Sequence, residues 1–132
     1  MQTLALRYGV VVLLLVAGDA LWLSYFARAL FRPVLGGILL DNPRWSAAIV
    51  FYLLYAVGVL IFPIALGGRS GWPSAALYGA LFGILAYMTY DLTNLATIKA
   101  WTLPLALIDI AWGALLTALA SATGTLVAPP VP

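Results

Sequence analysis

Four long apolar runs fill most of the chain, separated by short stretches rich in Arg, Gly, Pro and Asn. The runs cover residues 4–26, 47–66, 74–98 and 103–126. A hydrocarbon core about 30 Å thick needs roughly 20 mostly apolar residues per helical crossing. Each run is long enough, so the pattern predicts an all-α membrane protein: a four-transmembrane-helix bundle, one domain over residues 1–126. The stretch "VAPPVP" at 127–132 cannot be helical and is expected to be a Pro-rich tail.

The connectors carry turn chemistry. "ARALFRPVLGGILLDNPRW" holds three Arg, two Pro, a Gly pair and the turn sequence "DNP". Its middle stays apolar, so it is expected to lie along the membrane interface. "GGRSGWP" at 67–73 is a tight polar turn without the Lys-Ser/Thr pair of a phosphate loop. "KAWT" at 99–102 makes a short hairpin, and Pro104 suits the first turn of the last helix. The N-terminus has the look of a secretory signal, with an Arg, an apolar core and small residues near position 20. Yet "LWLSYFARALF" follows at once and stays apolar, which favours an uncleaved first span.

Composition agrees with the pattern. Hydrophobic residues make up 65% of the chain and charged residues 8%, against about 25% charged in a soluble domain. The net charge of +2 argues for no nucleic-acid partner, and the six basic residues are scattered near expected helix ends. With no Cys there is no thiol nucleophile or thiolate ligand, and with no His there is no imidazole base. Zinc and haem sites are accordingly not expected. Lys99, the one Lys, sits at a helix end and cannot form a mid-membrane Schiff base.

Four spans place both termini on one side and connectors one and three on the other. Arg28, Arg32, Arg44 and Lys99 lie on the connector side, against Arg7 and Arg69 on the side of the termini. The excess of Lys and Arg on cytoplasmic loops predicts periplasmic termini and a multi-pass location in a bacterial inner membrane.

The acids set this chain apart from a plain set of anchors. There is no Glu, and three of the four Asp fall inside spans: Asp19, Asp91 and Asp109. Asp19 and Asp91 each precede the connector-side end of their span by about seven residues, and Asp109 follows the same surface by about six. At 1.5 Å per residue all three lie about 10 Å below one membrane face. Helical spacing adds Trp22 and Trp112, each three residues after an Asp, and the stripe Gly79, Gly83, Tyr87, Asp91, Asn94. Tyr52 and Tyr55 fall near the same depth, and Thr97 ends the third span. The two D-x-x-W occurrences are either one local device used twice or chance; an inverted repeat would place the two acids at opposite depths.

An Asp at the centre of a span costs about 2.5–3.5 kcal/mol on insertion scales, and such residues almost always face a bundle interior or a wet cavity. No basic residue lies at their level, so internal salt bridges cannot neutralise all three. Some are expected to hold a proton, bind a cation or borrow an Arg or Lys99 from the connectors, and at least one is expected to be protonated at neutral pH. The structural alternative is that the three are hydrogen-bonded glue between helices. Trp45, Trp72 and Trp101, near span ends, are expected in the interfacial aromatic belt, and Gly79 and Gly83 at a close helix contact.

The segments "GDALWL" (18–23), "FYLLYAVGVL" (51–60), "YDLTNLATIKAW" (90–101) and "IDIAWG" (108–113) resemble a family of small bacterial four-helix inner-membrane proteins, domain of unknown function 2177. The similarity runs from the first span through the fourth. It implies an integral membrane protein and marks Asp19, Trp22, Asp91, Asn94, Asp109 and Trp112. It implies no activity.

The residues point to a polar pocket inside the bundle, open toward connector one, that takes a lipid-like molecule or a small cation. Asp19, Asp91 and Asp109 would supply charge or a shuttled proton, Asn94 and Thr97 would orient the ligand, and Tyr52, Tyr87, Trp22 and Trp112 would wall it, with cation–π attraction available to a cationic head. Three classes follow: a proton-coupled carrier; a membrane-embedded acid–base enzyme of lipid metabolism; or an accessory subunit in which the acids only brace a larger complex. A carrier of four spans is expected to work as a homodimer. Membrane lipids are the expected partners. No cofactor is predicted, although three Asp and Asn94 offer the hard oxygen donors that suit magnesium or calcium.

Overall fold

The computed structural model describes residues 1–128, so the expected Pro-rich tail falls, from residue 129 on, outside the described residues. Every regular element among the described residues is helical. Four helices are long and apolar enough to cross a membrane: α1 (Gln2–Phe26), α3 (Trp45–Ser70), α4 (Trp72–Thr97) and α5 (Leu103–Val127). A short helix, α2 (Ala27–Leu35), follows α1. The all-α, four-span architecture agrees with the sequence pattern.

The span boundaries differ from expectation in instructive ways. The second span reaches Ser70 because the "GGRS" turn stays helical. Pro63 has no N–H to donate, and the chain around it widens into π-helical turns over Leu60–Gly67, then tightens into one 3₁₀ turn at Gly68–Ser70. Gly71 reverses the chain with φ +96°, a left-handed conformation that favours glycine. Helix α4 then starts at Trp72 with Pro73 in its first turn. At the other hairpin, the hydroxyl of Thr102 accepts a hydrogen bond from the Leu105 N–H at 3.4 Å, capping α5 as Pro104 enters its first turn.

The four long helices close into a ring. Helices α4 and α5 pack most intimately, α1 lies against α5 and α3, and the second half of α3 covers α4. A Cβ on Gly83 would collide with the backbone carbonyl of Gly113, and one on Gly113 would collide with the Tyr87 ring. Backbone therefore meets backbone between α4 and α5, as the small residues of the third span suggested. An apolar core of Val11, Leu15, Tyr55, Ala56, Val59, Ile64, Leu116 and Ala120 fills the centre of the ring. Leu13, Leu54, Leu85 and Leu119, one from each long helix, face outward and are exposed. Such outer surfaces suit acyl chains rather than water.

A second cluster closes the connector-side end. Leu35 of α2 packs with Trp101, Leu105 and Ala106, and Leu30, Phe31 and Val34 lie against them. Trp101 therefore departs from its expected place in the aromatic belt. It is buried and makes edge-on contacts with Phe31 and Tyr90, because α2 folds back over the α4–α5 hairpin. Trp45 and Trp72 remain exposed at helix ends.

Candidate functional site

Asp19 is the centre of a polar layer in an otherwise apolar bundle. Its carboxylate accepts a hydrogen bond from the Tyr52 hydroxyl at 2.6 Å, from the Tyr87 hydroxyl at 3.2 Å and from the Trp112 indole N–H at 2.9 Å. These donors sit on α3, α4 and α5. One side chain on α1 thus ties together all four long helices. Both carboxylate oxygens are engaged, which is how a buried acid without a basic partner is kept in an apolar surrounding.

Asp109 is bound in the reverse sense. The Trp22 indole N–H donates to it at 3.1 Å. The antiparallel run of α1 against α5 sets Asp19 level with Trp112 and Trp22 level with Asp109. The two D-x-x-W sequences therefore form one reciprocal pair, with the indoles stacked between the acids at 4.8 Å and an interplanar angle of 4°. Trp22 heads a single π-helical turn, Trp22–Phe26, that ends the span. Phe26 also stacks on Trp22, with ring centroids 5.5 Å apart. Trp22 thus carries two stacked rings and still lines the cavity described below.

Asp91 is fully buried, and neither of its carboxyl oxygens has a donor partner. The Asp109 carboxyl is its neighbour. Two carboxylates have only acceptors between them, so a bond across this pair needs a proton. Deeper in the bundle, Tyr55 and Thr117 share a hydrogen bond of 2.8 Å.

A cavity of about 500 Å³ opens from this layer toward connector one. Asp19, Trp22, Tyr52, Tyr87 and Asp109 line it, together with apolar side chains that include Phe31, Leu35, Phe51 and Ala86. The size falls in the range of about 300–1,000 Å³ usual for ligand pockets, and a mostly apolar wall with a few convergent polar groups is their usual composition.

The remaining sequence-based candidates lie elsewhere. Trp112 acts from behind, through Asp19, and does not line the cavity; Asp91 stands behind Asp109. Asn94 is half-buried and outside the lining. Thr97 is exposed, and its hydroxyl donates to the Thr93 carbonyl at 2.8 Å within its own helix. Thr89 and Thr93 make the same back-bond one turn earlier each. These threonines satisfy themselves on the outer face of α4, and Thr97 lies outside the cavity lining. Among the described residues no group of three acidic side chains is placed to hold an ion; Asp19 is turned to its Tyr and Trp donors.

Two charged lining residues escaped sequence reasoning. Arg28 and Arg32, read there as markers of membrane orientation, stand on α2 at the mouth of the cavity. Their spacing of four in an amphipathic stretch was the available signal; what hid it was that nothing local says α2 folds back over the bundle.

Residues 4–126 match the family model described as Predicted membrane protein (DUF2177). The chain belongs to this family. The match spans the first long helix through the last, and so includes the whole polar layer and the mouth of the cavity. No curated protein and no solved structure matches the chain.

Proposed function

We propose that this membrane protein binds a lipid-like amphiphile in the cavity between α1, α3, α4 and α5, with its entrance at the connector-one side. The observation that carries this reading is the cavity itself. Its walls are apolar enough for a hydrocarbon chain, and its floor presents carboxyl, indole and phenol groups. A small cation is the weaker fit. Both oxygens of Asp19 are already taken by Tyr52, Tyr87 and Trp112, and Trp22 already stacks with Trp112 and Phe26.

The Asp91–Asp109 pair favours a proton-linked role over a purely structural one. A structural acid is usually satisfied by fixed donors, as Asp19 is; Asp91 has none. Because Asp109 lines the cavity and Asp91 stands behind it, a proton held between them can pass to a bound molecule. This serves a proton-coupled carrier or an acid–base enzyme acting on a lipid. The excess of basic residues on the connector-one side supports an entrance at the cytoplasmic face of an inner membrane.

Native mass spectrometry of the full chain, released from mild detergent, tests the reading. One amphiphile should stay bound to the wild type and be lost from Ala86→Trp, which fills the cavity. Retention of the same molecule by a folded Ala86→Trp protein would refute it.

A further inference from the structure

We infer that the amphiphile is a lipid with a phosphate in its headgroup, and that Arg28 and Arg32 clamp that phosphate at the cavity mouth. The inference rests on the pocket reading above and names the ligand's chemistry.

Arg28 and Arg32 are four residues apart on α2, one helical turn, and so lie on one face. Both line the inner apolar cavity, and both line a second cavity of about 460 Å³ beside it, whose wall also includes Gly36, Leu40 and Asp41. Leu39 lines the two as well. The inner apolar space and the outer polar space therefore meet at two guanidinium groups. That is the division a membrane lipid has: chain inside, charged head outside.

The placement is fixed by packing. Leu30, Val34 and Leu35 hold α2 against Trp101 and Leu105, which keeps the arginines over the opening. Guanidinium groups present planar forks of N–H donors that match phosphate oxygens, with charge assistance that an ammonium group supplies less directionally. The acids on the cavity floor do not compete for them. Asp19 has both oxygens occupied, and Asp109 faces Trp22 and Asp91. In the outer cavity Asp41 is the one acid against Arg28 and Arg32, so the charge at the entrance remains net positive.

Basic residues at a membrane surface attract anionic lipid without any site, so the test must separate a clamp from a field. Arg44 is the control: it belongs to the same connector and lines neither cavity. The full chain in mild non-ionic detergent is titrated with phosphatidic acid and with a diacylglycerol of the same chains, and bound lipid is counted by native mass spectrometry. Wild type should take one phosphatidic acid in preference to diacylglycerol. Arg28→Gln with Arg32→Gln should weaken phosphatidic acid by about tenfold or more, and abolish the preference, while Arg44→Gln leaves both unchanged. Inorganic phosphate should not compete, since it lacks the chain.

Equal weakening by Arg44→Gln overturns the clamp in favour of a surface field. So does equal binding of the two lipids by wild type, and so does displacement by inorganic phosphate. Ala86→Trp, and Leu39→Trp on the connector outside the packed helices, separate this failure from that of the pocket. If those variants lose lipid while the double Arg variant keeps its preference, the pocket stands and the clamp falls. If they keep lipid, the pocket reading falls and takes the clamp with it.

Discussion

Trp22 and Trp112 stack face to face, with ring centroids 4.8 Å apart and planes within 4° of parallel. Each donates its indole N–H across the helix pair to the acid of the other's motif, Trp112 to Asp19 and Trp22 to Asp109. The stack is thus the seam between α1 and α5. Its polar edges are satisfied by acids that would otherwise be stranded in an apolar core, so the tryptophans and aspartates lower each other's cost of burial.

This seam can be weighed. Trp112→Phe keeps an aromatic ring in the stack and removes the donor to Asp19. Hydrogen bonds to charged groups contribute about 1.5–3 kcal/mol in water-soluble proteins, but coupling energies inside membranes average about 0.6 kcal/mol. A double-mutant cycle of Trp112→Phe with Asp19→Asn, read by denaturant unfolding in mixed micelles, should return a coupling of about 1 kcal/mol. A coupling near zero would mean the indole N–H contributes nothing beyond packing.

The close approach of α4 and α5 makes a second expectation. Gly113 leaves the space that the Tyr87 ring occupies, and Tyr87 donates to Asp19. Gly113→Ala must push that ring aside, and overpacking of this kind typically costs about 1–3 kcal/mol. It should also disturb the cavity, since Tyr87 lines it. Gly9→Ala is the matched control: nothing lies within 4 Å of its added Cβ, and alanine's better helix propensity is worth up to about 1 kcal/mol. Thermal unfolding and lipid retention should both fall for Gly113→Ala and be kept or improved for Gly9→Ala.

The Asp91–Asp109 pair gives a spectroscopic expectation. If a proton bridges the two, infrared spectra should show the carbonyl band of an un-ionised carboxyl group, shifted in heavy water. Asp91→Asn should remove that band while preserving the fold, because the new amide can donate to Asp109 where the proton did. Asp109→Asn should remove it too. Asp19→Asn should leave it in place, since Asp19 takes its hydrogen bonds from Tyr52, Tyr87 and Trp112. Loss of the band only in Asp19→Asn would put the proton on the wrong acid.

Much of this architecture was written in the sequence, and the exceptions share one cause. Four spans follow from the length of the apolar runs, because a bilayer admits few other solutions for the backbone. That the acids lie together also follows from counting residues in from one membrane surface. Sequence spacing gives depth and helical face, but not which helix neighbours which. It therefore could not pair Asp19 with Trp112 rather than with its own Trp22, or set Asp91 behind Asp109. Thr97 ends the same span and invites a ligand-orienting role, yet its hydroxyl has a carbonyl in its own helix to bond. Arg28 and Arg32 were hidden for the same reason, since the return of α2 over the bundle is decided by long-range packing on Trp101 and Leu105.

The last expectation concerns which way the protein faces. Connectors one and three carry Arg28, Arg32, Arg44 and Lys99; the opposite side carries Arg7 and Arg69. The bias is small, but short loops are where it acts most strongly. The chain has no cysteine, so single cysteines report topology without background. Gly37→Cys has open space around its Cβ and marks connector one; Ser70→Cys changes one atom and marks connector two at an exposed position. A membrane-impermeant maleimide applied to intact cells should label Ser70→Cys at once, and Gly37→Cys only after the membrane is opened. Neutralising Arg28, Arg32 and Arg44 together should reverse the bias, leaving two basic side chains opposite Lys99 alone, and should give labelling of both sites in a mixed population. If Gly37→Cys labels in intact cells of the unmodified background, the cavity opens outward, and its lipid must come from the outer leaflet.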